Sequence, residues 1–191
     1  MKTIYSILLA LLFANCQAQT IVNINTQNRG NYSNKYFKDI NNNFQNFEGT
    51  WENTTGNKTF RVIIWKEEKV ALPKEENAFE DKLYGRFLII QNAGTSSEVI
   101  LHNSVKYYPQ NNITTNWSLL GSALDSNVFG TYIMDTCANG GDGVIDGTAK
   151  MEITNFGSTP STAHWTVKSV LQLQPGQSFS VPTDCILTKV N

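Results

Sequence analysis

Charge is scarce in this chain. Only 16% of its 191 residues are Asp, Glu, Lys or Arg, and 15 basic groups against 16 acidic ones leave a formal net charge of -1. A nucleic-acid binder needs a basic excess to replace phosphate counterions, so that class is excluded. Histidine is scarcer still: His102 and His164 lie far apart, without Cys or carboxylate companions at metal-ligand spacing. There is no Gly-x-Ser-x-Gly elbow. Gly140-Gly141-Asp142-Gly143 is not followed by the Lys-Ser or Lys-Thr of a phosphate loop. The expectation is a non-enzymatic chain without cofactor or metal. What is abundant is Asn (22) and Thr (19), with 11% aromatics, a composition of turns and strands rather than of disorder.

Long apolar runs are also missing, apart from one at the amino terminus. Lys2 precedes an 11-residue apolar stretch (IYSILLALLFA, 4–14), and small and polar residues follow to Ala18. A charged start, a short apolar run and a small-residue end make an export signal, too short to span a bilayer. Residues 1–18 are therefore expected to be removed, leaving an exported chain in the periplasm, on the outer surface or secreted. Cleavage after Ala18 gives a soluble protein starting at Gln19, the favoured reading. Phe13-Ala14-Asn15-Cys16 also resembles a lipobox, in which Cys16 would carry a lipid and become the sole membrane attachment.

Cysteine is limited to Cys16, Cys137 and Cys185. With Cys16 removed or lipid-modified, two cysteines remain in an oxidising compartment. A Cys137–Cys185 disulfide is the first expectation, and two buried thiols are the alternative.

The mature chain divides into a polar, Asn-rich arm (19–46) and one domain (47–191). Tyr36, Phe37, Ile40, Phe44 and Phe47 recur at helical spacing, so a short helical turn leads into the first strand. Strand patterns follow at 59–65, 83–91, 98–103 and 127–134. Residues 148–156 and 163–168 alternate apolar with polar, as half-buried antiparallel strands do. Residues 66–82 are heavily charged and contain Pro73, so they read as a solvated hairpin or excursion rather than core. Ile113, Trp117, Leu120 and Leu124 have helix-like intervals in an otherwise ambiguous segment, and 178–181 reads as a short strand. Roughly eight to ten strands with short turns predict an all-β, antiparallel barrel or sandwich.

The segment 135–147 (DTCANGGDGVIDG) invites a calcium reading. Setting Asp142-Gly143 at the fifth and sixth loop positions places Ala138, Gly140 and Ala149 where oxygen ligands are required, so a tight Gly-rich hairpin is expected instead.

Phe47-Glu48-Gly49-Thr50-Trp51 resembles the Gly-x-Trp start of lipocalin-like and fatty-acid-binding-protein-like barrels. That resemblance implies a helical turn closing one barrel end, with Gly49, Thr50 and Trp51 as the closing motif. Lipocalins place an Arg near the last strand to stack on this Trp. Here the arginines are Arg29, Arg61 and Arg86, and Lys189 stands in that place. The wider pattern is similar to an uncharacterised family of small secreted bacterial proteins: Tyr36-x-Lys38-Asp39, Gly49-Thr50-Trp51, Asp81-x-Leu83-Tyr84-Gly85 and a closing strand through Cys185. It implies an architecture and no activity. The functional expectation is a lipocalin-like barrel binding a small apolar ligand, with Trp65, Phe87, Tyr132 and Trp165 as lining candidates. The alternative is a solid barrel of the envelope that binds glycan or protein through its surface.

Overall fold

The computed structural model describes residues 19–26, 30–108, 113–138 and 143–190; the export segment, with Cys16, lies outside them. The architecture is all-β. Thirteen strands are present among the described residues: β1 (Thr20–Asn23), β2 (Lys35–Lys38), β3 (Gly49–Thr55), β4 (Lys58–Ala71), β5 (Phe79–Gln91), β6 (Val99–Asn103), β7 (Lys106–Tyr108), β8 (Ile113–Thr115), β9 (Leu119–Ala123), β10 (Val128–Ala138), β11 (Gly143–Ile153), β12 (Thr162–Ser169) and β13 (Asp184–Lys189). One 3-10 turn, Phe44–Asn46, takes up the end of the aromatic stretch for which a helical turn is expected; its start, with Tyr36 and Phe37, is strand β2 instead, because it pairs with β5.

Eight strands close an antiparallel barrel in the order β3-β4-β5-β9-β10-β11-β12-β13 and back to β3. Closure depends on two short seams. The β5–β9 seam pairs Leu83 with Gly121, Tyr84 with Leu120 and Gly85 with Leu119. The β13–β3 seam pairs Lys189 with Trp51 and Thr188 with Glu52. Along one edge β5 serves three partners in turn: β2 in parallel at its start, β9 at its middle and β6 at its end. Strand β1 pairs in parallel with β2, so the polar arm adds two short strands beside the barrel. Strands β7 and β8 form a separate small sheet.

Two glycines are required by this geometry. Gly49 has φ +117, a conformation side-chain-bearing residues rarely adopt, where the chain turns from the 3-10 turn into β3. At Gly121 a Cβ would lie 2.1 Å from the Gly130 carbonyl oxygen, so only glycine lets β9 lie against β10 at the seam.

The alternation read in the sequence is realised. Ala149, Met151 and Ile153 on β11 and Ala163, Trp165 and Val167 on β12 are all buried. They join Trp51, Phe60, Val62, Ile64, Phe87, Phe129 and Leu187 in one core. The barrel is filled. Ring centroids of Phe60 and Trp165 are 5.8 Å apart, those of Phe47 and Phe129 5.7 Å, and those of Phe60 and Phe87 6.2 Å. Such spacing is direct aromatic packing and leaves no ligand-sized space between those rings.

Three expectations are corrected. The charged stretch 66–82 forms a hairpin, one of its two expected forms, but not a wholly solvated one: β4 runs to Ala71, β5 starts at Phe79 antiparallel to it, and Asp81 is 1% exposed. Its outward charges stay solvated or pair, as Lys82 does with Glu80 at 3.0 Å, so charge does not oppose pairing. The helix-like intervals through Leu124 describe no helical face. Leu119 and Ala123 are buried at strand spacing, while Leu124 is 65% exposed. Residues 178–181 form a strap rather than a strand.

The Cys137–Cys185 disulfide is also absent: both residues are thiols. Cys137 is on β10 and Cys185 on β13, with β11 and β12 between them. The register from Cys185 runs through Trp165 and Met151 to Phe129, well down the strand from Cys137. A disulfide needs its Cα atoms within about 7 Å. Burial first, and then the neighbouring Asp184 charge, push the Cys185 thiol up to about 11, which disfavours the thiolate.

Candidate functional site

At the closed end, motif residues distant in sequence converge on Asp81, which is 1% exposed. Asp81 accepts hydrogen bonds from the Tyr36 hydroxyl, the Lys69 amide (3.1 Å) and the Asp39 amide (2.9 Å), and Lys66 Nζ lies 3.6 Å away. Asp39 in turn accepts from the amides of Asn43 (3.0 Å) and Phe44 (2.9 Å), holding the start of the 3-10 turn. Burial and the Asp81 carboxylate raise the Tyr36 pKa well above its usual value. Burial alone would lower the Lys66 pKa, but the Glu68, Asp81 and Asp39 carboxylates outweigh it and the net direction is up. The buried side-chain polar atoms here all have hydrogen-bond partners, so the cluster clasps β2, β4 and β5 to the 3-10 turn.

The closing motif sits above that clasp. Trp51 is fully buried, and its indole N–H donates to the Phe47 carbonyl oxygen at 2.8 Å. Lys189 Nζ lies 5.3 Å from the Trp51 ring centroid, in the place the sequence assigns it.

The opposite end is open at the rim. There β3 to β6 project beyond the barrel, and the strap 178–182 lies against their inner face. Between them is a cleft of about 460 Å³, with Phe60, Ile89 and Phe179 among its apolar lining and Lys58 and His102 among its polar lining. Asp135, fully buried, fixes the strap. Its carboxylate accepts from the Ser180 amide and hydroxyl (2.5 and 2.7 Å) and from the Cys137 amide (3.0 Å). Trp165 adds a bond from its indole N–H to the Pro182 carbonyl oxygen at 3.1 Å.

The four lining candidates do not share a cavity. Phe87 and Trp165 point inward and are fully buried in the core. Trp65 and Tyr132 are on the outer face. Trp65 stacks on Tyr84, with centroids 6.2 Å apart and planes at 21°, and Trp117 packs on the other partner of that pair, Tyr84, at 5.7 Å. The cross-strand register continues the row from Trp65 to Tyr84, Leu120 and Tyr132. Tyr132 is 39% exposed; burial of its hydroxyl, then a hydrogen bond to Asp146, push its pKa up to about 12. Sequence reading missed Tyr84 and Trp117 as members of this row, because strands β4, β5, β9 and β10 are brought side by side only by barrel closure.

Among the described residues no group of three or more His, Cys, Asp or Glu is placed to hold a metal ion; 139–142 of the Gly-rich segment lie outside them. His164 bonds to Asp184 on the surface at 3.0 Å, and His102 borders the rim cleft. No helix among the described residues is long and apolar enough to cross a membrane.

One family model matches the chain, over residues 1–190, described as a family of unknown function (DUF6705). No curated protein and no solved structure matches.

Proposed function

Because the chain belongs to this family of unknown function, its role has to be argued from its own geometry, and we propose that it is an exported, non-enzymatic binding protein that meets its ligand on the outside of a solid barrel. The observation that carries this reading is the filled interior, in which Trp51, Trp165, Phe47, Phe87 and Phe129 have no exposed surface. A small apolar ligand would have to displace those rings, at a cost of several kcal/mol for each core aromatic lost from its packing. The alternative expectation from the sequence, binding through the surface, needs no such rearrangement. Export rests on the leader at 1–18, and mass analysis of the mature amino terminus separates Gln19 from a lipid-bearing Cys16.

The four tryptophans make the experiment direct. Trp51 and Trp165 are inside; Trp65 and Trp117 are on outer-face elements. Indole N–H resonances, assigned with single Trp→Phe variants, are followed during titration with short-chain alcohols, fatty acids, oligosaccharides and envelope extracts. Surface binding moves Trp65 or Trp117 and leaves Trp51 and Trp165 in place. The reverse pattern overturns the reading.

A second reading is favoured by the rim cleft, whose 460 Å³ would hold a small amphiphile outside the core. Trp165 borders that site through its bond to Pro182, so a shift of Trp165 without one of Trp51 reports on the cleft rather than the core.

A further inference from the structure

Outer faces of barrel strands are ordinarily polar, and the row from Trp65 to Tyr132 departs from that rule. On the outer face Trp65 and Trp117 each pack on Tyr84, which they leave 9% exposed, and Tyr132 extends the row across Leu120 of β9 to β10. Neighbouring strands are about 4.8 Å apart, so the three strand steps from Trp65 to Tyr132 span about 14 Å. That span matches about three residues of a sugar chain. Carboxylates line the row. Glu67 accepts from the Trp65 indole N–H at 3.1 Å, and burial first, then the Glu67 and Glu80 charges, raise the Tyr84 pKa. Asp146 bonds to the Tyr132 hydroxyl. The cations of β5 on this face are Lys82, paired with Glu80 at 3.0 Å, and Arg86, two residues beyond Tyr84.

We infer that this aromatic row is a binding site for a neutral, β-linked oligosaccharide, an assignment that rests on the surface-binding reading above. Three properties select that ligand. An equatorially substituted sugar ring presents axial C–H bonds, whose partial positive charge faces the electron-rich ring of a Trp or Tyr. Its ring-edge hydroxyls need acceptors, and Glu67 and Asp146 supply them at either end of the row. With Glu80 and Lys82 cancelling each other, Glu67 and Asp146 at the two ends of the row disfavour phosphorylated or uronic-acid polymers, so the favoured chain is uncharged. A flat, β-1,4-linked ribbon keeps successive sugar faces in line with a row of rings, whereas a coiled α-1,4 chain does not.

The test titrates the mature chain with cellohexaose, with maltohexaose as the coiled comparison, reading indole N–H shifts and tryptophan emission. Cellohexaose is expected to move Trp65 and Trp117 but not Trp51 and Trp165, and to bind more tightly than maltohexaose. Trp65→Ala and Trp117→Ala are each expected to weaken binding by about tenfold. Tyr132→Phe, which keeps the ring, should retain most of the affinity. Thermal melting of each variant confirms that the barrel is intact. Absence of any cellohexaose response in the folded protein, or a response unchanged in the Trp65→Ala/Trp117→Ala double variant, overturns the assignment. Sedimentation of the unliganded chain adds a further arm. Self-association abolished by the same double variant would show the row to be an interface between copies, which overturns the sugar assignment and leaves surface binding standing. Movement of Trp51 and Trp165 alone overturns both.

Discussion

Lys189 Nζ sits 5.3 Å from the centroid of the Trp51 ring and donates to the Asn46 carbonyl oxygen at 3.2 Å. The last strand thus meets the first through a cation over an indole, while the same ammonium holds the 3-10 turn that covers the barrel end. The two residues are also register partners in the shorter seam. Burial lowers the Lys189 pKa against the pull of Glu48, so the position is partly desolvated and the cation–ring contact is stronger than at a wet surface.

Lys189→Ala is therefore expected to cost about 1 to 2 kcal/mol, from the cation–ring contact and the bond to Asn46 together. Lys189→Arg should retain most of that stability, because a planar guanidinium stacks on the indole. Urea denaturation of both variants checks this; equal losses would show that ring stacking contributes nothing.

Asp81 of β5 is the point at which four groups meet, one from β2, two from β4 and one from the connection between β2 and the 3-10 turn. Asp81→Asn removes the charge facing Lys66 and turns an acceptor toward a donor, with an expected loss of about 3 kcal/mol or more. Tyr36→Phe removes one hydrogen bond and should cost about 1 to 2 kcal/mol. The ordering, measured by chemical denaturation, distinguishes a clasp centred on Asp81 from one centred on the Tyr36 ring.

Alkaline pH should destabilise the fold. The Cys185 thiol is raised from 9.0 to about 11 and the Tyr132 hydroxyl from 10.0 to about 12, and Tyr36 is raised further in the same direction. Above the unfolded pKa the unfolded chain has lost these protons while the folded chain keeps them, so stability falls as pH rises through this window. It is fully present below pH 9, declines first through Cys185, and declines further above pH 10 through the tyrosines. Lys189 opposes the trend, because its lowered pKa lets the unfolded chain hold more protons just below 10.5. Tyr132→Phe should flatten the loss above pH 10, measured as the urea midpoint against pH, and Lys189→Met should steepen it.

The strap over the rim cleft should loosen when its buried anchor is removed. Asp135→Ala leaves the Ser180 amide and hydroxyl and the Cys137 amide without their acceptor, so amide exchange should speed up across 178–182 well before global unfolding. Ser180→Ala removes only the hydroxyl bond and should have a smaller effect. Equal exchange in the parent and Asp135→Ala would show that packing of Phe179 and the Trp165–Pro182 bond hold the strap without Asp135.

Thiol chemistry gives a last check. The chain from Gln19 onward should yield two titratable thiols when unfolded without reductant, and reductant should leave its melting temperature unchanged. A melting point lowered by reductant would restore the Cys137–Cys185 bridge.

Local chemistry alone determined much of this protein. Alternation over 148–156 and 163–168 set which side of β11 and β12 is buried, because side chains on a strand point to opposite faces in turn. The Gly49-Thr50-Trp51 motif and the spacing of Phe44 and Phe47 placed the closing turn, and Lys189 was legible as the partner of Trp51. Tertiary structure decided what depends on strands distant in sequence becoming neighbours. The order of strands around the barrel separated Cys137 from Cys185 despite their suggestive isolation as a pair. Strand facing sent Phe87 and Trp165 into the core but Trp65 and Tyr132 outside, although all four are aromatic residues in strands of similar composition. The β5–β9 seam then gathered Tyr84, Trp117 and Tyr132 around one face, and the β2–β5 and β4–β5 pairings gathered Tyr36, Asp39 and Lys66 around the Asp81 carboxylate. Register across a closed sheet is a long-range property, and no short window of sequence contains it.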